Sequence, residues 1–328
     1  MSKAVEIVKM LVSPANKLID AVAGAIGKAY QPRHIRKLAE AKAYEINTIG
    51  QALRNNADVP IVYDKGDLSL NTTDFDEFVK RTQSRLAYQE LQKQQNIENV
   101  ADKAYELLST ETAVSSEPVS KDWMTRFFNS VEDISDEDLQ NLWAKVLAGE
   151  IVRPKSFSLR TLETLKNISK YEAELFVKIL PYVLTLENSL FLNADRKLLL
   201  KHGITYGEIM ALDECGLINS SGFVVLTPKV STAKPVGIHN RSQLVLLRGL
   251  SASQAELTIG IFGLTQAGRE LYKMLNVEPN GDYICDFAKE LVKNNAKKIK
   301  ATIHMINFLD AKGINFDNTV LEEFPLQQ

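Results

Sequence analysis

The 328-residue chain is 45% apolar and 24% charged, with a formal net charge of −2. That length allows two or three domains and a sizeable core, and the near-neutral balance excludes a polyanion binder working by bulk charge, so any basic site must be local. Cys215 and Cys285 are widely separated and form neither a disulfide framework nor a C-x-x-C pair, which fits a reducing, cytoplasmic setting. No uncharged apolar run approaches the roughly 18–20 residues of a membrane-spanning helix. The start, M-S-K-A-V-E, lacks the plan of a signal peptide because charges interrupt the apolar run.

Residues 1–57 read as an amphipathic N-terminal helical segment. Glu6, Lys9, Ser13, Asn16/Lys17, Asp20, Gly24 and Gly27/Lys28 recur at steps of three and four, drawing one narrow polar stripe down an otherwise apolar helix. Ser13-Pro14 breaks it, as an N-cap followed by proline at the first helical position, so the pattern predicts two pieces, about 3–12 and 14–29. The apolar face, with Val8, Leu11, Leu18, Ile19, Val22 and Ile26, suits either burial in a bundle or subunit interface, or a membrane interface. Arg33, Arg36 and Lys37 follow as a basic collar that suits lipid headgroups, phosphates or simply solvent. Helical spacing continues to about Asn55 through Leu38, Ala41, Ile46, Ile49 and Leu53.

Residues 58–118 read as a linker and a long helix. Asp64-Lys65-Gly66-Asp67 is turn chemistry, and Thr73 offers a cap for a helix from 74 to about 108. Its glutamine-rich middle, Gln89–Gln95, predicts an exposed stretch that suits a coiled-coil arm. The small, polar, proline-ended run 109–118 is the expected domain boundary.

Residues 119–187 read as a compact helical module. Ser120 caps a helix bearing Trp123, Phe127 and Phe128; Ser135 is the expected cap of the next, with Asp138 at the capping-box position and Ile134–Leu139 as a hydrophobic staple. Leu139, Leu142, Trp143, Val146 and Leu147 predict one buried stripe, ended by Gly149. Ser158 and Ser169 cap two further helices, the second with Glu172 as a capping box.

The run L-W-A-K-V-L-A-G-E (Leu142–Glu150), followed by Pro154 and F-S-L-R-T-L-E-T-L-K-N-I-S-K-Y-E-A, resembles a bacterial family catalogued only as a domain of unknown function. It is also similar to the abortive-infection alpha (Abi-alpha) proteins, whose N-terminal pattern matches Pro14, Lys17, Leu18, Ile19, Ala25, Ile26, Gly27, Tyr30 and Pro32. Val146 and Gly149 depart mildly from the central pattern. The resemblance implies a role in bacterial defence against phage and brings no catalytic residues with it.

Residues 188–328 read as a winged-helix-like α+β domain with a C-terminal extension. A short helix over 205–214 ends at a glycine; strands are expected at 223–226, 244–247 and 257–262; and L-T-Q-A-G-R-E-L (Leu264–Leu271) resembles the strand-to-helix junction after the wing of many winged-helix domains. A DNA-reading helix needs cations, yet 205–214 carries Glu208, Asp213 and Glu214 and none, which argues for protein contacts there. Lys289–Lys300 holds five lysines against one acid, a second basic patch that reads as a solvated helix face. The acidic end, 321–324, is expected to fray.

His34, His202, His239 and His304 show no metal-type spacing, and phosphate-binding glycine loops, H-E-x-x-H and G-x-S-x-G are missing. Glu40-Ala41-Lys42 is a nuclease-like E-x-K without its strand aspartate. The expected fold is mainly α with a C-terminal α+β winged-helix-like domain. The expected function is non-enzymatic phage defence through a protein partner or self-association, without cofactor, metal or small-molecule substrate. The expected location is cytoplasmic, peripheral to the inner membrane if the N-terminal helix meets lipid. A winged-helix nucleic-acid-binding or regulatory protein, and an uncatalogued nuclease, are the alternatives.

Overall fold

Pro14 opens the first helix, α1 (Pro14–Ile26), where its missing N–H is no loss, and the Lys17 N–H donates to the Ser13 carbonyl at 3.0 Å. The computed structural model describes residues 13–26, 62–64, 67–69, 72–220, 224–310 and 313–325. It divides into two units, Met1–Ser156 and Phe157–Gln328. The expected helices over 3–12 and 27–55 lie outside the described residues.

The described residues of unit 1 are helical apart from a hairpin, β1 (Val62–Asp64) and β2 (Asp67–Ser69), in which Asp64 pairs with Asp67 across the expected turn. Helix α2 (Thr72–Ser109) is longer than the expected 74–108, and Thr73 lies inside it rather than at its cap. Ile97, Val100, Ala101, Ala104 and Leu108 recur at helical spacing and are buried with α3 (Lys121–Val131) and α4 (Glu137–Val152). The run 109–118, read as a domain boundary, is an internal connection of this unit: the Ser115 N–H donates to Val152 O at 3.0 Å.

Two details of α4 differ from expectation. Its cap is Asp136, not Ser135, and the Asp136 carboxylate accepts the Asp138 and Leu139 N–H groups at 3.0 Å. The helix also runs through Gly149 to Val152, because a mid-helix glycine costs only about 1 kcal/mol relative to alanine. Arg153 still donates to Gly149 O at 2.9 Å, and Pro154, with no N–H, is the stop.

Unit 2 begins with α5 (Leu159–Lys166) and α6 (Lys170–Ile179), capped by Ser158 and by the Ser169–Glu172 box as the sequence predicts. A 3-10 turn (Leu180–Tyr182) leads into β3 (Leu184–Leu186) and β4 (Ser189–Asn193), then α7 (Arg196–Lys201) and α8 (Tyr206–Glu214). Seven short strands follow: β5 (Ile218–Asn219), β6 (Val225–Leu226), β7 (Lys229–Val230), β8 (Val236–His239), β9 (Gln243–Gly249), β10 (Ala255–Glu256) and β11 (Ile259–Leu264). Helices α9 (Gln266–Met274) and α10 (Gly281–Asn294) precede β12 (Ile299–Asp310), β13 (Gly313–Phe316) and β14 (Glu322–Phe324).

Ten of these strands form one antiparallel sheet with path β13-β12-β9-β8-β3-β4-β11-β5, β14 pairing with β12 and β6 with β11. Of the expected fold, mainly α with a C-terminal α+β domain, the described residues bear out the coarser part: they are mixed α+β, about half helical, with a large antiparallel sheet in the C-terminal region. Ile299, Ala301 and Ile303 of β12 and Val245 and Leu247 of β9 are fully buried, and the buried face of α10 carries Tyr283, Ile284, Phe287 and Leu291. The acidic end is not frayed at 322–324, where β14 pairs with β12 and Phe324 is buried.

Candidate functional site

The N-terminal candidates divide by position. Leu18 and Val22 are fully buried in the helices of unit 1, Ile19 and Ile26 are half-buried, and Val8, Leu11, Arg33, Arg36 and Lys37 lie outside the described residues. Lys17, assigned to the polar stripe, is buried as well. Its Nζ donates to Ile151 O at 2.8 Å and to Ser115 O at 2.9 Å, tying α1 to the end of α4 and to the connection before α3. Burial lowers the Lys17 ammonium below its ordinary range, against the pull of Glu150 and Glu117. Glu150, also buried, accepts the Lys155 N–H at 2.6 Å and steadies a residue held at φ 70°. The lysine of the N-terminal motif and the glutamate of the central motif thus act on one corner of unit 1. Lys17 lies one step around the helix from Leu18, the only cue to its burial.

The tryptophan-rich stretch is core. Phe127 stacks on Trp123 at 5.1 Å and meets Phe128 and Trp143 edge-on at 5.2 and 5.3 Å. Trp143 is 1% exposed, so it presents nothing to a ligand.

In unit 2 three residues of the L-T-Q-A-G-R-E-L run, Thr265, Gly268 and Glu270, fasten the fold. Thr265 Oγ1 accepts the Gly268 N–H at 3.2 Å and donates to Gly216 O at 2.7 Å. A Cβ at Gly268 would overlap the Leu217 carbonyl, so only glycine lets α9 approach so closely. Glu270 accepts from the Ser158 N–H at 2.8 Å and the Thr161 hydroxyl at 2.5 Å, holding the start of α5 from 112 residues away. Arg241 adopts φ 81° in the β8–β9 turn and is fixed there by α9: its guanidinium stacks on Tyr272 at 3.7 Å and donates to Tyr272 O at 2.8 Å. It thereby satisfies carbonyls that end the helix.

A polar cluster joins α7 to α10. Asp286 Oδ2 lies 2.9 Å from His202 Nε2 and 2.6 Å from Lys201 Nζ, while the imidazole sits against Tyr283 and Tyr182 at 5.2 and 5.8 Å. Burial alone would raise the Asp286 carboxyl; the bonds from Lys201 and His202 outweigh it and hold the group below its ordinary range. Cys215 and Cys285 are free, and burial pushes each thiol up to about 11, leaving little thiolate at neutral pH. No group of three or more His, Cys, Asp or Glu among the described residues is arranged to hold a metal.

What faces water is different in kind. In the first half of α2, from 77 to 95, only Val79, Thr82, Gln83 and Lys93 are even half-buried, and Phe78, Leu86, Tyr88 and Leu91 are 49–65% exposed. Phe308 and Leu309 are exposed where β12 extends beyond β9 to pair with β13, as is Met305 at the last β9 pair. Lys293, Lys297 and Lys298 are exposed too, but the basic run 289–300 is helix only to Asn294. No described helix is long and apolar enough to cross a membrane.

A two-unit α+β protein whose described polar clusters brace the fold is the class these observations define. The chain belongs to the family described as protein of unknown function DUF2806, which matches residues 80–288 and so spans both the Leu142–Glu150 and the Leu264–Leu271 runs. That match carries no link to the abortive-infection proteins or to phage defence. No curated protein and no solved structure matches the chain.

Proposed function

We propose that the chain is a non-enzymatic protein of bacterial anti-phage defence, of the abortive-infection type, that works through contact with a protein partner or a second copy. The contact reading is carried by the exposed half of α2. A helix that leaves Phe78, Leu86, Tyr88 and Leu91 in water suits an apolar face on a partner. The defence reading rests on the resemblance of Leu142–Glu150 and of the Pro14–Pro32 segment, not on the fold. Its test is a plaque assay on cells expressing the wild type or a Phe78→Ser/Leu86→Ser/Leu91→Ser variant. Fewer plaques with the wild type and full plaques with the variant are expected; equal plating across a broad phage panel would overturn it.

A winged-helix-like reading of part of unit 2 is supported by the strand order β4-β11-β5, with α7 and α8 between β4 and β5. Helix α8 would then stand where a recognition helix does. It has no cation, and its Glu208 is paired with Lys178 at 2.7 Å, which favours a protein face over DNA. A DNA mobility shift at about 50 mM salt would contradict that preference. Peripheral membrane attachment through the N-terminal segment rests on Val8, Leu11, Arg33, Arg36 and Lys37, since Leu18 and Val22 are already buried.

A further inference from the structure

Leu250 follows β9 at the end of the large sheet where β12 begins, and it is 51% exposed. Its N–H donates to Lys298 O at 2.9 Å, so its backbone is fastened to the turn between α10 and β12. Cations surround that point. Arg248 and Lys300 are directly opposite in the β9–β12 register, and Lys297 and Lys298 lie on the turn, with Lys293 one helical turn before them. Lys234 belongs to a loop joined to the same end by the Gly249 N–H on Ser231 O at 3.2 Å and the Thr232 N–H on Ser251 O at 2.9 Å. Two carboxylates answer these six cations: Glu323, 3.6 Å from Lys300, and Glu290, 3.3 Å from Lys293. Further out, Lys229 and Glu256 pair with each other at 3.7 Å and cancel.

Like charges directly opposite in a sheet destabilise it, and the Lys300–Glu323 bridge answers one member of the Arg248–Lys300 pair but not the other. An exposed leucine among cations matches one surface chemistry closely: the cations meet anionic headgroups and the leucine enters the acyl boundary. A nucleic-acid backbone would use the cations but not Leu250, and the patch offers no aromatic ring for stacking bases. We infer that this end of the sheet docks on an anionic lipid leaflet, with Leu250 entering it and Arg248, Lys234, Lys293, Lys297, Lys298 and Lys300 facing the headgroups.

This contact uses residues other than those of the N-terminal segment and the α2 arm, and the test distinguishes them. The full chain is floated with vesicles of phosphatidylcholine, with or without phosphatidylserine, beside Lys297→Glu/Lys298→Glu, Leu250→Ser and Arg33→Ala/Arg36→Ala/Lys37→Ala variants. The wild type should float with the anionic vesicles alone. Reversing the two lysines should lower the bound fraction about tenfold or more, as screened headgroup attraction falls, and should do so equally in the N-terminal variant background. Leu250→Ser should lower it about threefold, because a buried leucine is replaced by a polar group. If the lysine variant does not fold, Arg248→Thr removes the like-charge pair, should fold at least as well, and should still weaken flotation. Three results would each overturn the inference. One is a wild type that does not float, and another is lysine and arginine variants that float as the wild type does. The third is binding of single-stranded RNA that the lysine reversal weakens while Leu250→Ser leaves flotation unchanged.

Discussion

Among the described residues of unit 1 the buried aromatics come from neighbouring helices, Trp123 to Phe128 on α3 and Trp143 on α4, and a buried lysine reaches in from α1. In unit 2 the ties are long: Glu270 holds the start of α5, Asp286 holds the end of α7, and β12 completes a sheet begun by β3. Apart from Lys17, which reaches Ile151 across 134 residues, the aromatic cluster of unit 1 closes between helices that are neighbours in the chain, whereas unit 2 is tied by polar bonds and strand pairs that only the folded chain brings together. The lesson is about motifs. A conspicuous run in a helical unit tends to be packing, and a conspicuous run in a sheet unit tends to be a remote fastening.

Trp143→Ala should cost about 3–5 kcal/mol in urea melts if the aromatic cluster closes unit 1; an unchanged midpoint would remove Trp143 from the core. For unit 2 the counterpart is Gly268→Ala. Its new methyl meets the Leu217 carbonyl, so a loss near the upper end of about 1–3 kcal/mol is expected. Gly207→Ala has open space and a helical backbone and should instead gain up to about 1 kcal/mol. Equal responses at the two glycines would mean that the close approach of α9 is misplaced.

Lys17→Met should cost about 1–3 kcal/mol by leaving the Ile151 and Ser115 carbonyls without their donor. Hydrogen exchange should then rise in α1 before the rest of unit 1; uniform exchange would deny the fastening. The smallest effect is Asp286→Asn. Because the folded carboxyl lies below its ordinary 3.8, its contribution is present above that value and is lost as pH falls through the folded pKa. The wild type should therefore lose melting temperature more steeply than the variant between about pH 5 and pH 3. Parallel curves would show that the cluster carries no linkage.

The division between the units also decided what could be read in advance. Caps and helical stripes are local, so Ser120, Ser158, the Ser169–Glu172 box and Thr265 are legible in the sequence, and the structure has them. Thr205–Glu208 is a capping box of the same kind that went unread. Strands β3, β4, β8 and β12 are short or mixed in pattern and gain their stability from partners far away, so Lys289–Lys300 read as helix throughout although β12 starts at Ile299. The same limit hid Lys17–Ile151, His202–Asp286 and Arg248–Lys300, pairs whose members lie far apart in the chain. Exposure on α2 was partly visible, since Gln89–Gln95 is too polar to bury.

The proposed division of labour is that the conspicuous motifs hold the fold while the exposed half of α2 makes the contact. Sedimentation velocity of the full chain and its Phe78→Ser/Leu86→Ser/Leu91→Ser variant, with melting followed in parallel, tests it most directly. The wild type should sediment above its 36.7 kDa monomer, alone or with a co-purified partner, and the variant as a monomer with unchanged melting. A wild type that stays monomeric and partner-free at every concentration, or a variant that associates as the wild type does, would contradict it.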